Sequence, residues 1–137
     1  MTQAQARARV VVADDDPGFL EAVAAALETD GRFEVVGLAA DGEEAFQLAC
    51  WQEPDVVVMD IGMPKIGGVE ATRLLRRSKP RICVLMVSGE EPERLNEARQ
   101  AGAVGFVSKA RSMDELGDAI YAAYLENAAG EARRSRR

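Results

Sequence analysis

The stretch Asp55-Val56-Val57-Val58-Met59-Asp60-Ile61-Gly62-Met63-Pro64 decides the fold. Four consecutive apolar residues without polar alternation read as a strand covered on both faces, the pattern of a parallel sheet. The run ends in Asp60 and in a turn marked by Gly62 and Pro64, so a carboxylate stands at the strand's C-terminal tip. An earlier run, Val10-Val11-Val12-Ala13, ends the same way in Asp14-Asp15-Asp16. Ligands of open α/β sheets gather at the carboxyl ends of the strands, where two such tips can pool their acids in one pocket.

Outward from this stretch, short β-rich runs alternate with longer segments of helical period. Strands are expected at residues 9–14, 33–38, 55–60, 81–87 and 104–107, and helices at 17–29, 42–53, 68–77, 91–101 and 112–127. The first helix carries Phe19, Leu20, Val23, Ala24 and Leu27 on one face, with Pro17 at its start and Asp30-Gly31 at its end. The last opens on Ser112 with Glu115 three residues later, a capping-box pattern. The fourth has little apolar face beyond Leu95 and Ala98. Five β/α repeats with right-handed crossovers give a doubly wound (βα)5 α/β sheet with helices on both faces. The expected organisation is an arm at 1–8, a folded domain at 9–127 and a basic tail or linker at 128–137, read as a disordered linker or truncation scar, with a basic arm for an acidic partner as the alternative.

A chain of 137 residues suits one domain. Apolar residues make up 47% and aromatics 5%, so the core should be aliphatic. Residues 10–130 hold 11 basic and 22 acidic side chains, while Arg133, Arg134, Arg136 and Arg137 crowd the tail. Such an acidic body repels a nucleic acid backbone and favours a divalent cation or a basic partner, so no direct DNA binding is expected of it. Cys50 and Cys83 stand apart in apolar contexts and read as buried thiols. No apolar leader opens the sequence and no run approaches the length of a membrane span, which makes a cytoplasmic protein the expectation.

With no histidine in the sequence, a Ser-His-Asp triad, a histidine metal site and a phosphohistidine of its own are excluded. Neither a P-loop nor a dinucleotide fingerprint is present. Two further strand tips carry polar residues: Ser88 ends Val84-Leu85-Met86-Val87, and Lys109 follows Gly105-Phe106-Val107-Ser108. Acids suited to Mg2+, a hydroxyl and an ammonium together describe a site for a phosphoryl group. Metal and ammonium would neutralise its oxygens while a carboxylate attacks phosphorus.

Each feature alone has a plainer reading. Asp14-Asp15-Asp16-Pro17 could simply cap a helix, and Asp16 is expected to do so. Lys109 alone would be a surface lysine, Ser88 a turn residue, Phe106, Met59 and Met63 packing residues, and Trp51 a packed helix end.

Taken together, the acidic pair Asp14 and Asp15, the turn Asp60 to Pro64, Ser88 and Lys109 resemble, over roughly residues 8–127, the receiver domain of bacterial two-component response regulators. The stretches from Val35 to Ala45 and from Gly102 to Lys109 are most similar to the NarL/FixJ subfamily. The resemblance implies a flavodoxin-like sheet of strand order 2-1-3-4-5. It implies phosphorylation of Asp60 by a sensor histidine kinase, a phosphotransfer protein or a small acyl phosphate, with self-catalysed gain and loss of the group and no conventional enzyme activity. Asp15, Asp60 and the Gly62 carbonyl would hold Mg2+, or Mn2+ in its place, with Asp14 acting through water. Ser88 and Lys109 would bind phosphoryl oxygens, and Ser88 with Phe106 would form the switch. Gly62 and Glu90 match positions that tune the lifetime of the phosphoryl group, and Gly89 leaves the pocket mouth open. The output would be changed protein contacts, including a homodimer through the fourth helix, fifth strand and fifth helix, in a protein that includes a transcriptional output. Two other classes fit less well: a phosphohydrolase of the haloacid dehalogenase type, which places Asp-x-Asp after its first strand whereas the nucleophile candidate here follows the third, and a degenerate receiver serving only dimerisation. Ala110 stands where much of the family has proline, and a trans Lys109-Ala110 bond is expected because a non-proline cis bond costs about 2.5–4 kcal/mol.

Overall fold

Val56, Val57, Val58 and Met59 are wholly shielded from solvent, and they face two different cores. Val57 and Met59 pack with Val11, Ala13, Leu75 and Met86, whereas Val56 and Val58 pack with Val10, Val12, Leu27 and Ile120. Successive side chains of a strand point to opposite faces, so an unbroken apolar run is what a sheet buried on both sides requires.

The computed structural model describes residues 6–89 and 94–135. Its elements follow in the order β1 (Ala8–Ala13), α1 (Pro17–Thr29), β2 (Phe33–Ala39), α2 (Gly42–Gln52), β3 (Val56–Asp60), α3 (Gly68–Ser78), β4 (Cys83–Ser88), α4 (Leu95–Ala101), β5 (Gly105–Ser108) and α5 (Met113–Ser135). The strands form one sheet in the order β2-β1-β3-β4-β5, and each neighbouring pair is parallel. Helices α1 and α5 supply one core, while α2, α3 and α4 supply the other.

Local chemistry sets the helix starts. Pro17 opens α1, and the Asp16 carboxylate accepts the Gly18 N–H at 3.0 Å, so Asp16 serves the cap that the sequence suggested. Asp41 caps α2 through the Glu44 N–H at 2.8 Å. At α5 the capping box closes in both directions: Glu115 N–H donates to Ser112 Oγ at 3.1 Å, and Ser112 N–H to Glu115 Oε1 at 3.2 Å. Helix α4 stops at Gly102, whose φ of 114° favours a residue without a Cβ.

The expected elements are all present, with strand ends displaced by one or two residues. Ala8 belongs to β1, where its N–H donates to the Arg32 carbonyl at 2.9 Å, so the arm is shorter than expected. Three differences are larger. Helix α5 passes the expected end at Asn127 and runs to Ser135, so the supposed disordered tail is helical over 128–135. Ala128, Ala129, Glu131, Ala132 and the arginines are good helix formers, and extending a helix is easier than nucleating one. Both offset the roughly 1 kcal/mol penalty of Gly130. Trp51, expected to pack, is 80% exposed because it lies on the solvent face of α2. Helix α4 begins at Leu95. Glu91 and the Leu95 side chain lie outside the described residues, while Ala98 is buried as expected. No described peptide bond is cis, so Lys109-Ala110 is trans.

Candidate functional site

Four strands end on one side of the sheet, and their tips converge. Asp14 follows β1, with its backbone N–H tied to the Ala39 carbonyl at 3.0 Å and its Oδ1 accepting the Asp16 N–H at 2.8 Å. It is fully buried, whereas Asp15 beside it is exposed. Asp60 ends β3 and is 6% exposed, with the Gly62 N–H donating to its Oδ1 at 3.3 Å. Helix α3 begins directly against it. A Cβ on Gly68 would lie 2.1 Å from the Asp60 carbonyl oxygen, so only glycine permits this approach.

From β4 and β5 come the other two groups. Ser88 is buried and pairs in register with Ser108, and its carbonyl accepts the Lys109 N–H at 2.9 Å. Lys109 Nζ lies 2.6 Å from Asp14 Oδ2 and 3.6 Å from Asp60 Oδ2. The first contact is an ion pair rather than a well-directed hydrogen bond, since buried Asp14 Oδ2 has no partner of hydrogen-bond geometry. The ammonium also lies 4.7 Å from the centre of the Phe19 ring. Phe106, opposite Met86 in the β4/β5 register, is half-buried.

The electrostatics follow from crowding. Burial first, and then the charge of Asp14, push the Asp60 carboxyl up to about 6, against the smaller opposing effects of the Gly62 N–H and Lys109. Burial works against the charged form of Lys109. The close contact with Asp14 and the charges of Asp60 and Asp14 outweigh it and hold the ammonium above its ordinary range. A second positive charge would relieve the acids further.

The donor set fits a hard divalent cation. Asp14, Asp15 and Asp60 each offer a carboxylate oxygen, all within 4.8 Å of one another. Mg2+ takes oxygen ligands at about 2.0–2.1 Å in an octahedron, which asks these oxygens to close by only a fraction of that spacing. Gly62 and Gly89 are both exposed, with open space where a side chain would stand. Glu90 lies outside the described residues. A separate cleft of about 460 Å³ between Asp55, Arg81 and Asn127 lies toward the opposite strand ends and contains none of these groups.

Asp14, Asp15, Asp60, Ser88 and Lys109, all singled out in the sequence, come together here, whereas Phe19 was assigned only to the apolar face of α1. Nothing in the spacing of residues 19 and 109 signals their contact, since it depends on how α1 and β5 meet across the sheet end.

A parallel sheet of order 2-1-3-4-5 with acids, a hydroxyl and a lysine at its carboxyl end defines a flavodoxin-like signalling domain of the phosphoacceptor class. The chain belongs to the response regulator receiver domain family, whose model matches residues 10–121. It is 41% identical over 113 residues to the response regulator GacA of Pseudomonas aeruginosa, covering 82% of this chain and 53% of that protein. It is 39% identical over 113 residues to the transcriptional regulatory protein DegU of Brevibacillus brevis, covering 82% and 48%. Among solved structures, the signal receiver domain of the response regulator NarL from Mycobacterium tuberculosis superposes with a TM-score of 0.83 at 36% identity, covering 87% of this chain and 97% of that one. The response regulator domain of Thermotoga maritima CheB gives 0.81 at 33% identity, covering 88% and 98%. The chain spans about half the length of the curated relatives it matches. No described helix is long and apolar enough to cross a membrane.

Proposed function

We propose that Asp60 is the phosphoacceptor of this receiver and that the domain catalyses both its own phosphorylation and its own dephosphorylation. The observation that carries this is the convergence of Asp14 and Asp60 on Lys109, at 2.6 Å and 3.6 Å, at the end of the sheet beside buried Ser88. An Asp60 carboxylate oxygen attacks phosphorus as the donor's bond to phosphorus breaks, giving an aspartyl phosphate. Asp15, Asp60 and the Gly62 carbonyl would hold Mg2+, or Mn2+ in its place, with Asp14 acting through water. The metal supplies charge to the phosphoryl oxygens. Lys109 leaves Asp14 to pair with one phosphoryl oxygen, Ser88 binds another, and Phe106 turns inward as Ser88 is drawn across.

On this reading the receiver unit runs from Ala8 at the start of β1 to residue 127, with an arm before it and 128–137 as a connecting segment. The donor is a sensor histidine kinase or a phosphotransfer protein, as the lack of histidine in this chain requires for a phosphohistidine route. The output is an altered α4-β5-α5 face that supports a homodimer, in a cytoplasmic protein with a transcriptional role like that of DegU. Incubation with acetyl phosphate and Mg2+, read by intact mass, adds one phosphoryl group to the wild type and none to Asp60→Asn. Equal labelling of the two proteins refutes the assignment.

A further inference from the structure

We infer that Phe19 is a positioning residue for Lys109, holding the ammonium in the pocket while it passes from Asp14 to a phosphoryl oxygen on Asp60. The inference deepens the receiver reading and rests on it. Phe19 is the third residue of α1, a helix whose start is fixed by Pro17 and by the Asp16 cap. Its half-buried ring lies 4.7 Å from Lys109 Nζ, and the lysine side chain retains 23% of its exposure. The ammonium therefore has two charged neighbours, Asp14 and Asp60, and one aromatic face.

The distances show why the third neighbour matters. At 2.6 Å from Asp14 and 3.6 Å from Asp60, Lys109 is held on the acid that carries no phosphoryl group in the proposed chemistry. It must change oxygen partners without escaping to water, where a lysine is strongly hydrated. A hydrogen-bond acceptor in place of Phe19 would pin the ammonium in one direction. A ring face attracts a cation over a broad area and excludes water on that side, so it favours both positions of the ammonium. The other aromatic–cation group among the described residues contrasts with this one. Arg32 lies 5.3 Å and 5.0 Å from the Phe33 and Tyr121 rings, but it is already ion-paired with Asp30 and Asp118 near the surface.

Phe19 also packs against the α1/α5 core, so a purely structural role must be separated from the positioning role. Leucine keeps the apolar packing and removes the ring face, while tyrosine and tryptophan keep the ring. Binding of fluoroberyllate, a phosphoryl mimic, in saturating Mg2+ is measured by calorimetry for the wild type, Phe19→Leu, Phe19→Tyr and Phe19→Trp. The expected result is about three- to tenfold weaker binding by Phe19→Leu and affinities within about twofold of wild type for the two aromatic variants. Mg2+ alone binds Phe19→Leu no more weakly than the wild type. Phe19→Met substitutes if the leucine variant does not fold. Wild-type affinity in Phe19→Leu, equal losses in all variants, or a parallel fall in Mg2+ affinity overturns the proposal. A wild type that binds no fluoroberyllate and takes no label from acetyl phosphate overturns the receiver reading itself, a different result.

Discussion

Strands β3 and β5 both deliver a functional side chain to the same pocket, but they are held very differently. Every residue of β3 is buried, and the strand lies between β1 and β4. Every residue of β5 is only half-buried, and the strand lies at the sheet edge. Asp60 thus stands on a wholly buried interior strand, while Phe106 lies on, and Lys109 directly follows, a half-buried edge strand. The group that must be oriented for chemistry is fixed by packing on both sides, whereas the groups that must respond sit where a shift displaces few buried contacts. The two halves meet at the pocket through the Lys109 N–H to Ser88 carbonyl bond at 2.9 Å.

The largest test of this contrast is a pair of core deletions. Met59→Ala, at a residue with no exposure, is expected to lower the unfolding free energy by about 2–5 kcal/mol. Val107→Ala, on half-buried β5, should cost less than about 1 kcal/mol. Urea unfolding measures both, and equal losses would show that the two strands are equally constrained.

Next comes the electrostatic strain carried on β3. With its pKa raised to about 6 in the folded domain, above the ordinary 3.8, an ionised Asp60 destabilises the metal-free fold. That penalty is fully present above pH 6 and disappears as the pH falls below about 4, because protonation then occurs in both states. Asp60→Asn should therefore stabilise the metal-free protein by roughly 1–3 kcal/mol near neutral pH and by little near pH 4, less whatever attraction to Lys109 is lost. A gain that stays constant across this range would show that the charge of Asp60 is not the source of the strain. A further test lies in the responding half. Ser112→Ala removes the capping box of α5 and should cost about 1 kcal/mol, measured by thermal unfolding, with the metal affinity of the pocket left intact.

The contrast also explains what the sequence could and could not disclose. Val56 to Met59 announced a doubly covered strand because burial on both faces leaves no room for polar alternation. The acids, Ser88 and Lys109 were legible because each follows such a run directly. Trp51 was not, since an aromatic at a helix end has no periodicity that distinguishes a packed ring from an exposed one. The helical course of 128–135 was hidden because Gly130 and the arginines read equally well as a linker. Phe19 was legible as a core residue, yet its neighbour across the pocket is ninety positions away and only the tertiary arrangement brings them together.

Trp51 is the one tryptophan of the chain, and in the folded domain it already stands in water. Its emission in the native state will resemble that of the unfolded chain, so indole fluorescence is nearly silent about whether the domain is folded. The same silence makes the molecule a clean optical background. An indole introduced at position 19 would supply the signal from the pocket almost by itself, and the aromatic variant that tests the Lys109 contact is also a built-in probe of how that contact changes.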